Sequence, residues 1–161
     1  MDEAALKARR VKVGSWISIR VVLLSGMGEE FEQPPGRVMV ASNGHMLARL
    51  AGAIDQAFGR WDISHLHAFR FEDGTTFMPG GSEFDANVRD SKRTRLASLG
   101  LETGATFEYV FDLGDNWLHA CTVEAADVDP WKEWGEPPPG PVPVWGWGAL
   151  PDQCGRTTPD D

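Results

Sequence analysis

The sequence predicts an α+β fold: a mostly antiparallel sheet, one main amphipathic helix, and an extended C-terminal segment rich in Pro, Gly and Trp. Three observations predict it. Several stretches alternate apolar and polar residues with period two, one stretch between Leu47 and Phe58 repeats every three or four residues, and no strand–helix–strand rhythm recurs. The 161 residues, 42% of them hydrophobic, suit one domain with a core of ordinary size. The chain is expected to divide into a basic arm over 1–14, a single α+β domain over 15–129, and a tail over 130–161 that wraps the domain.

The first strand is "SWISIRVVLL" (Ser15–Leu24), where Ile17, Ile19, Val21 and Leu23 share one face. A turn-rich link follows to Arg37, because Gly and Pro punctuate it and Pro34–Pro35 cannot join a ladder. "RVMVA" (Arg37–Ala41) resumes as a short strand. Leu47, Leu50, Ile54 and Phe58 then line one face of a helix. Ser42 or Asn43 is placed to cap its start, and Gly59 stands where a left-handed C-terminal residue belongs.

"HLHAFRFEDG" (His65–Gly74) returns to period two, with His65, His67, Phe69 and Phe71 on one face. Asp73–Gly74 turns it into "TTFMPG". Between 80 and 103 the pattern fits either a helical turn or a loop, anchored by Leu96, Leu99 and Leu101. Two further strands join across Leu113–Asn116: Phe107, Tyr109 and Phe111 share a face of the first, and Trp117, His119, Cys121 and Val123 a face of the second. In this turn Gly114 is expected to supply the positive φ. Past Asp129 the chain reads as too rich in Pro and Gly for a strand or a helix.

The formal net charge is −9, which favours solubility and repels phosphate backbones. Residues 1–20 are basic, with five cationic side chains against two acids, and residues 124–161 are acidic, with eight against two. Arg89, Lys92, Arg93 and Arg95 form a local basic cluster around Asp90. No recognition-helix or RNA-binding motif accompanies it, so it reads as a solvated loop. No apolar run approaches the roughly 18 residues of a membrane span, and no signal region opens the chain. Two distant cysteines, Cys121 and Cys154, make no disulfide framework, which points to the cytoplasm.

Three of the four histidines lie beside carboxylates and a cysteine. His65, His67, His119 and Cys121 have the donor types of a tetrahedral zinc site if their strands face each other, with Asp115 as an oxygen alternative. Core histidines bonded to backbone or to Asp112 account for the same pattern, and no cofactor is expected. Asp112, Asp115 and His119 are the candidates for acid–base catalysis. Turn chemistry is the favoured account of "DLGDN", since Asp accepts backbone N–H groups in tight turns. An Asp–His hydrogen bond across the hairpin would reconcile the two by fixing an imidazole in an aromatic core.

"AIDQAFGRWDISHLHAF", "FEYVFDLGDNWLHACTVE" and "ALPDQCG" occur in this order. They resemble the signature segments of the plasmid pRiA4b ORF-3-like family: a helix ending in "QxAFGW", then "HLHxF", "YxYDFGDxWxH" and "PPEDCGG". The resemblance runs from about Ser15 to Gly155. It implies a compact α+β domain from a family associated with plasmids and mobile elements and of largely unknown biochemistry. It also marks His65, His67, Asp112, Asp115, Trp117 and His119 as the family's shared positions. Arg60 is an insertion between Gly59 and Trp61, expected to lengthen the turn after the helix. The last loop lacks the first Pro and second Gly, and Val144–Trp145 stand where an upstream cysteine is often found. The chain stops soon after Gly155, where relatives usually continue into another helix.

The expected function is a binding or accessory module. Its aromatic–histidine face, made of His65, His67, Phe69, Tyr109, Asp112, Asp115, Trp117 and His119, would form a pocket for a peptide or small ligand. A metal-dependent or hydrolytic enzyme using His65, His67, His119 and Asp115 is the alternative. A nucleic-acid accessory factor using Arg89, Lys92, Arg93 and Arg95 is the third.

Overall fold

Residues 15–154 are described by the computed structural model, so the basic arm and the chain past Cys154 lie outside the described residues. Among those described, nine strands form one sheet: β1 (Trp16–Gly26), β2 (Glu29–Glu30), β3 (Gly36–Ser42), β4 (His67–Arg70), β5 (Thr76–Met78), β6 (Val88–Asp90), β7 (Thr106–Phe111), β8 (Trp117–Val128) and β9 (Val142–Trp147). The main helix is α1 (Leu47–Ala57), and a one-turn helix α2 (Pro130–Trp134) follows β8. The sheet order is β6-β5-β4-β7-β8-β1-β3-β9, with β2 paired to the end of β1. Every pairing is antiparallel except β5 with β6. The α+β class holds, with one main helix against a mixed, mostly antiparallel sheet.

The period-two pattern works because one face of the sheet is buried and the other is not. Ile17, Ile19, Val21 and Leu23 of β1 all enter one core with Phe107, Tyr109 and Phe111 of β7 and Trp117, Cys121 and Val123 of β8. The helix covers this face through Leu47, Leu50, Ile54 and Phe58. Burying each of these side chains contributes roughly 1.5–3 kcal/mol before chain entropy is set against it.

Neither Ser42 nor Asn43 caps the helix. The N-cap position is Met46, which makes no side-chain cap. The first amides donate instead to main-chain carbonyls of the segment before the 3-10 turn Leu96–Leu99: Leu47 to Thr94 and Ala48 to Ser91. Ser42 Oγ accepts from the Gly44 amide, and Asn43 donates to Ser15 Oγ.

At the other end Gly59 has φ +74°, as its position predicts. The Arg60 amide donates to the Asp55 carbonyl and the Gly59 amide to that of Gln56, the paired bonds of a Schellman cap. The cap therefore sets Arg60 beside Asp55 and turns the chain back over the core.

The C-terminal segment is extended, but the expectation of neither strand nor helix fails. Asp129 caps α2 by accepting from the Trp131 and Lys132 amides, and Pro130 takes the first helical position, where no N–H is needed. β9 adds an edge strand to β3, and an edge is where a sheet tolerates Pro143. Trp147 anchors it by donating to the Pro34 carbonyl, with the Arg20 guanidinium 4.2 Å above its ring.

Candidate functional site

Four segments meet at one end of the sheet, and hydrogen bonds fix each to the next. The turn between β7 and β8 is centred on Asp112, whose φ of +61° is left-handed. Its Oδ1 accepts from the Gly114 and Asp115 amides, and its own amide donates to the Leu66 carbonyl. The positive φ expected at Gly114 is carried instead by Asp112 and Asn116, two residue types whose short polar side chains tolerate that region. The Asp115 carbonyl accepts from Met27 at the tip of the β1–β2 hairpin. Beside it Gly26 has no room for a side chain, because a Cβ would lie 2.0 Å from the Trp117 ring.

The loop from Trp61 to Leu66 forms the second wall. His65 lies with Nδ1 3.5 Å from Asp112 Oδ2 and Nε2 3.3 Å from Asp62 Oδ2, its ring edge-on to Phe111. The Ser64 hydroxyl and amide both donate to Asp62, which holds that carboxyl below its usual range. Gln153 pins the loop from a distant part of the chain. Its Oε1 accepts from the Trp61 and Asp62 amides, and its Nε2 donates to the Asp62 carbonyl. Around His65 the side chains of Ile63 and Leu66 are 72% and 51% exposed, and Trp61, Leu113 and Met27 are exposed too.

Beneath this rim lies a buried polar layer. His119 has no exposed surface; its Nδ1 is 3.0 Å from the Tyr109 carbonyl and its Nε2 3.0 Å from Arg60 Nη2. A guanidinium can only donate and a carbonyl can only accept, so the proton sits on Nδ1 and the ring is neutral. Burial first, and Arg60 second, push its pKa down to about 3. Arg60 is only 8% exposed and stacks against Phe58, Phe111 and Trp117. Burial lowers its pKa to about 10, so it remains cationic at neutral pH. Asp55 accepts from the Tyr109 hydroxyl at 2.8 Å, and burial raises its carboxyl to about 7. Arg60 Nη1 and Trp117 Nε1 find no partner among the described residues.

The structure thus sorts the candidate residues by depth. Phe69, Tyr109, Trp117 and His119 are core, His67, Asp112 and Asp115 are half-buried, and His65 is accessible. His67 bonds Ser91 Oγ at 2.9 Å, and burial lowers its pKa to about 4. The hydrogen bond sought between His119 and an Asp is absent, because Arg60 and the Tyr109 carbonyl occupy that imidazole; the Asp–His pair is His65 with Asp112. Cys121 is buried, and burial raises its thiol pKa. Among the described residues no group of three or more His, Cys, Asp or Glu side chains is placed to hold a metal ion. In the basic cluster, Arg93 pairs with Asp90 at 3.7 Å and Arg95 donates to the Gly44 carbonyl, while Arg89 and Lys92 are exposed.

Two residues that build the site escaped the sequence reading. Arg60 stood out only as an insertion, yet it fills the aromatic core. Gln153 lies in the "ALPDQCG" loop, and its partners are more than 90 positions away. No helix among the described residues is long and apolar enough to cross a membrane.

Residues 29–139 match the family model described as "Plasmid pRiA4b ORF-3-like protein". "Uncharacterized protein y4hQ" of Sinorhizobium fredii (strain NBRC 101917 / NGR234) is 37% identical over 79 residues, which cover 48% of this chain and 40% of that relative. This match therefore spans less than half of either protein. A solved structure, "Crystal Structure of Protein of Unknown Function MM3350 from Methanosarcina mazei Go1", has a TM-score of 0.63 at 18% identity. It covers 86% of this chain and 72% of that one, a likeness of fold.

Proposed function

The chain belongs to the plasmid pRiA4b ORF-3-like family, and from that premise we propose that it is a cytoplasmic accessory module that binds a short peptide segment of another protein. The binding surface is the end of the sheet formed by residues 61–66, the turn 112–116 and Met27. One observation carries this reading: His65 is accessible and held between Asp62 and Asp112, while Ile63, Leu66 and Leu113 around it are exposed. Apolar anchors around one oriented polar group are what recognition of a peptide side chain and its backbone requires. The buried layer of Phe69, Tyr109, Trp117 and His119 serves as the rigid support of that surface.

The test is selection of a displayed random peptide library on the full chain, followed by calorimetric titration of the winners against wild type, His65→Ala and Leu66→Asp. Both positions are exposed, so the variants keep the core intact. Weakening by tenfold or more in each variant supports the reading. Equal binding to all three removes it.

Acid–base catalysis is the second reading, and the same histidine favours it, since an accessible imidazole within reach of two carboxylates has the parts of a general base. Turnover of chromogenic esters, phosphoesters or anilides by wild type and not by His65→Ala would support it. Absence of turnover across that panel counts against it.

A further inference from the structure

A second surface lies at the opposite end of β1 and β8 from His65. A groove of about 350 Å³ opens there between the start of β1, the end of β8 and α2. Trp16, Val128, Pro130, Trp131 and Pro137 make its apolar walls, and Asp127 stands at its rim. Trp16 is rigidly held, with His45 and Trp134 edge-on to its ring at 5.3 and 5.9 Å. Trp131 is 65% exposed, so a large flat aromatic face is left on one wall.

The charge around the groove is one-sided. Between 124 and 136 the chain carries Glu124, Asp127, Asp129, Glu133 and Glu136 against Lys132 alone. All five carboxylates are on exposed residues, and none is in an ion pair among the described residues. Asp129 is engaged as the α2 cap, which leaves Asp127 as the rim carboxylate free to meet a ligand. An exposed indole beside unpaired carboxylates suits a guanidinium, which stacks on the ring and bonds the acid at once. Rigid proline and tryptophan walls suit an extended, proline-containing backbone.

We propose that this groove binds an arginine- and proline-containing basic segment of a partner protein, with Trp131 as the stacking face and Asp127 as the charge partner. The site is separate from the His65 surface and stands without it.

The experiment uses the full chain and two fluorescein-labelled dodecapeptides, one alternating Arg and Pro, the other Asp and Pro, followed by fluorescence anisotropy. The Arg–Pro peptide is expected to bind at least tenfold more tightly than the Asp–Pro peptide and to weaken as salt rises. Trp131→Ala and Asp127→Asn are each expected to weaken it at least fivefold. Glu83→Gln, which removes the same charge at an exposed position by the β6 edge, and His65→Ala are expected to leave it unchanged. No binding, equal binding of both peptides, or equal losses in Glu83→Gln and Asp127→Asn would overturn the proposal. Binding that emerges only after residues 1–14 are deleted would also overturn it, making this chain's own basic segment the occupant.

Discussion

Arg60 Nη2 lies 3.0 Å from His119 Nε2, so a guanidinium and a neutral imidazole share a hydrogen bond inside the aromatic core. The Schellman cap after α1 explains how Arg60 comes to be there: the cap places it one turn from Asp55, beneath Phe111 and Trp117. Arg60 is thus the member of the buried layer that ties the helix end to β8. The rim that carries His65 rests on this layer through the Phe111 ring.

Arg60→Ala is expected to destabilise the fold by about 3 kcal/mol, because it removes the donor to His119 and opens a cavity among three rings. Arg60→Met keeps most of the volume and removes a desolvated cation, so its cost is expected near 1 kcal/mol. Urea unfolding of the two variants checks this. Equal losses in both would mean that the charge, not the packing, is what matters.

Acid is expected to weaken the protein through His119. The unfolded chain binds a proton at this residue near pH 6.5, and the folded one refuses it down to about 3. Stability therefore falls as pH drops below about 6.5, by at most about 1.4 kcal/mol per unit for this group. His67 acts in the same direction but only half-buried, so solvent screening reduces its share. Asp55 opposes both: its raised carboxyl stays protonated in the fold, so its contribution is full below about pH 4 and fades as pH rises through about 7. Between pH 7 and 4.5 the His119→Gln midpoint in urea should lose less on acidification than the wild-type one, and the Asp55→Asn midpoint should lose more.

Gln153→Ala is expected to free the loop without unfolding the core. Three hydrogen bonds to Trp61 and Asp62 disappear, while the sheet and helix keep their contacts. Amide exchange at Trp61 and Asp62 should accelerate at least tenfold, with protection in β7 and β8 unchanged.

Met46→Asp, a substitution that ordinarily improves a helix start, is expected to bring no gain. The first helix amides already have carbonyl partners in Ser91 and Thr94, so a capping oxygen has little left to satisfy. A rise in melting temperature in this variant would contradict the arrangement.

The sequence carries the longer strands and the main helix openly, because burial on one face writes a period into the chain, whereas β2 and β6, expected as link and loop, are too short to write one. Ile17 to Leu23 and Phe107 to Phe111 alternate for that reason, and Leu47 to Phe58 follow the helical period for the same one. What depends on distant partners is silent. Arg60 looks like a solvated charge until the cap turns it inward, and Gln153 finds its donors only when the last loop meets the segment that follows α1. β9 is hidden by composition, since Pro and Gly lower strand propensity everywhere except at an edge. The depth of each histidine is equally illegible: His65 and His67 sit two residues apart, yet one is accessible and the other bonds the buried Ser91.

The claim that the His65 end of the sheet is the peptide-binding surface is tested most directly by amide chemical-shift mapping with a library-selected peptide. Perturbations concentrated in residues 61–66, 112–116 and Met27, and lost in Leu66→Asp, are the predicted result. Perturbations that spare those residues and fall elsewhere on the surface would contradict it.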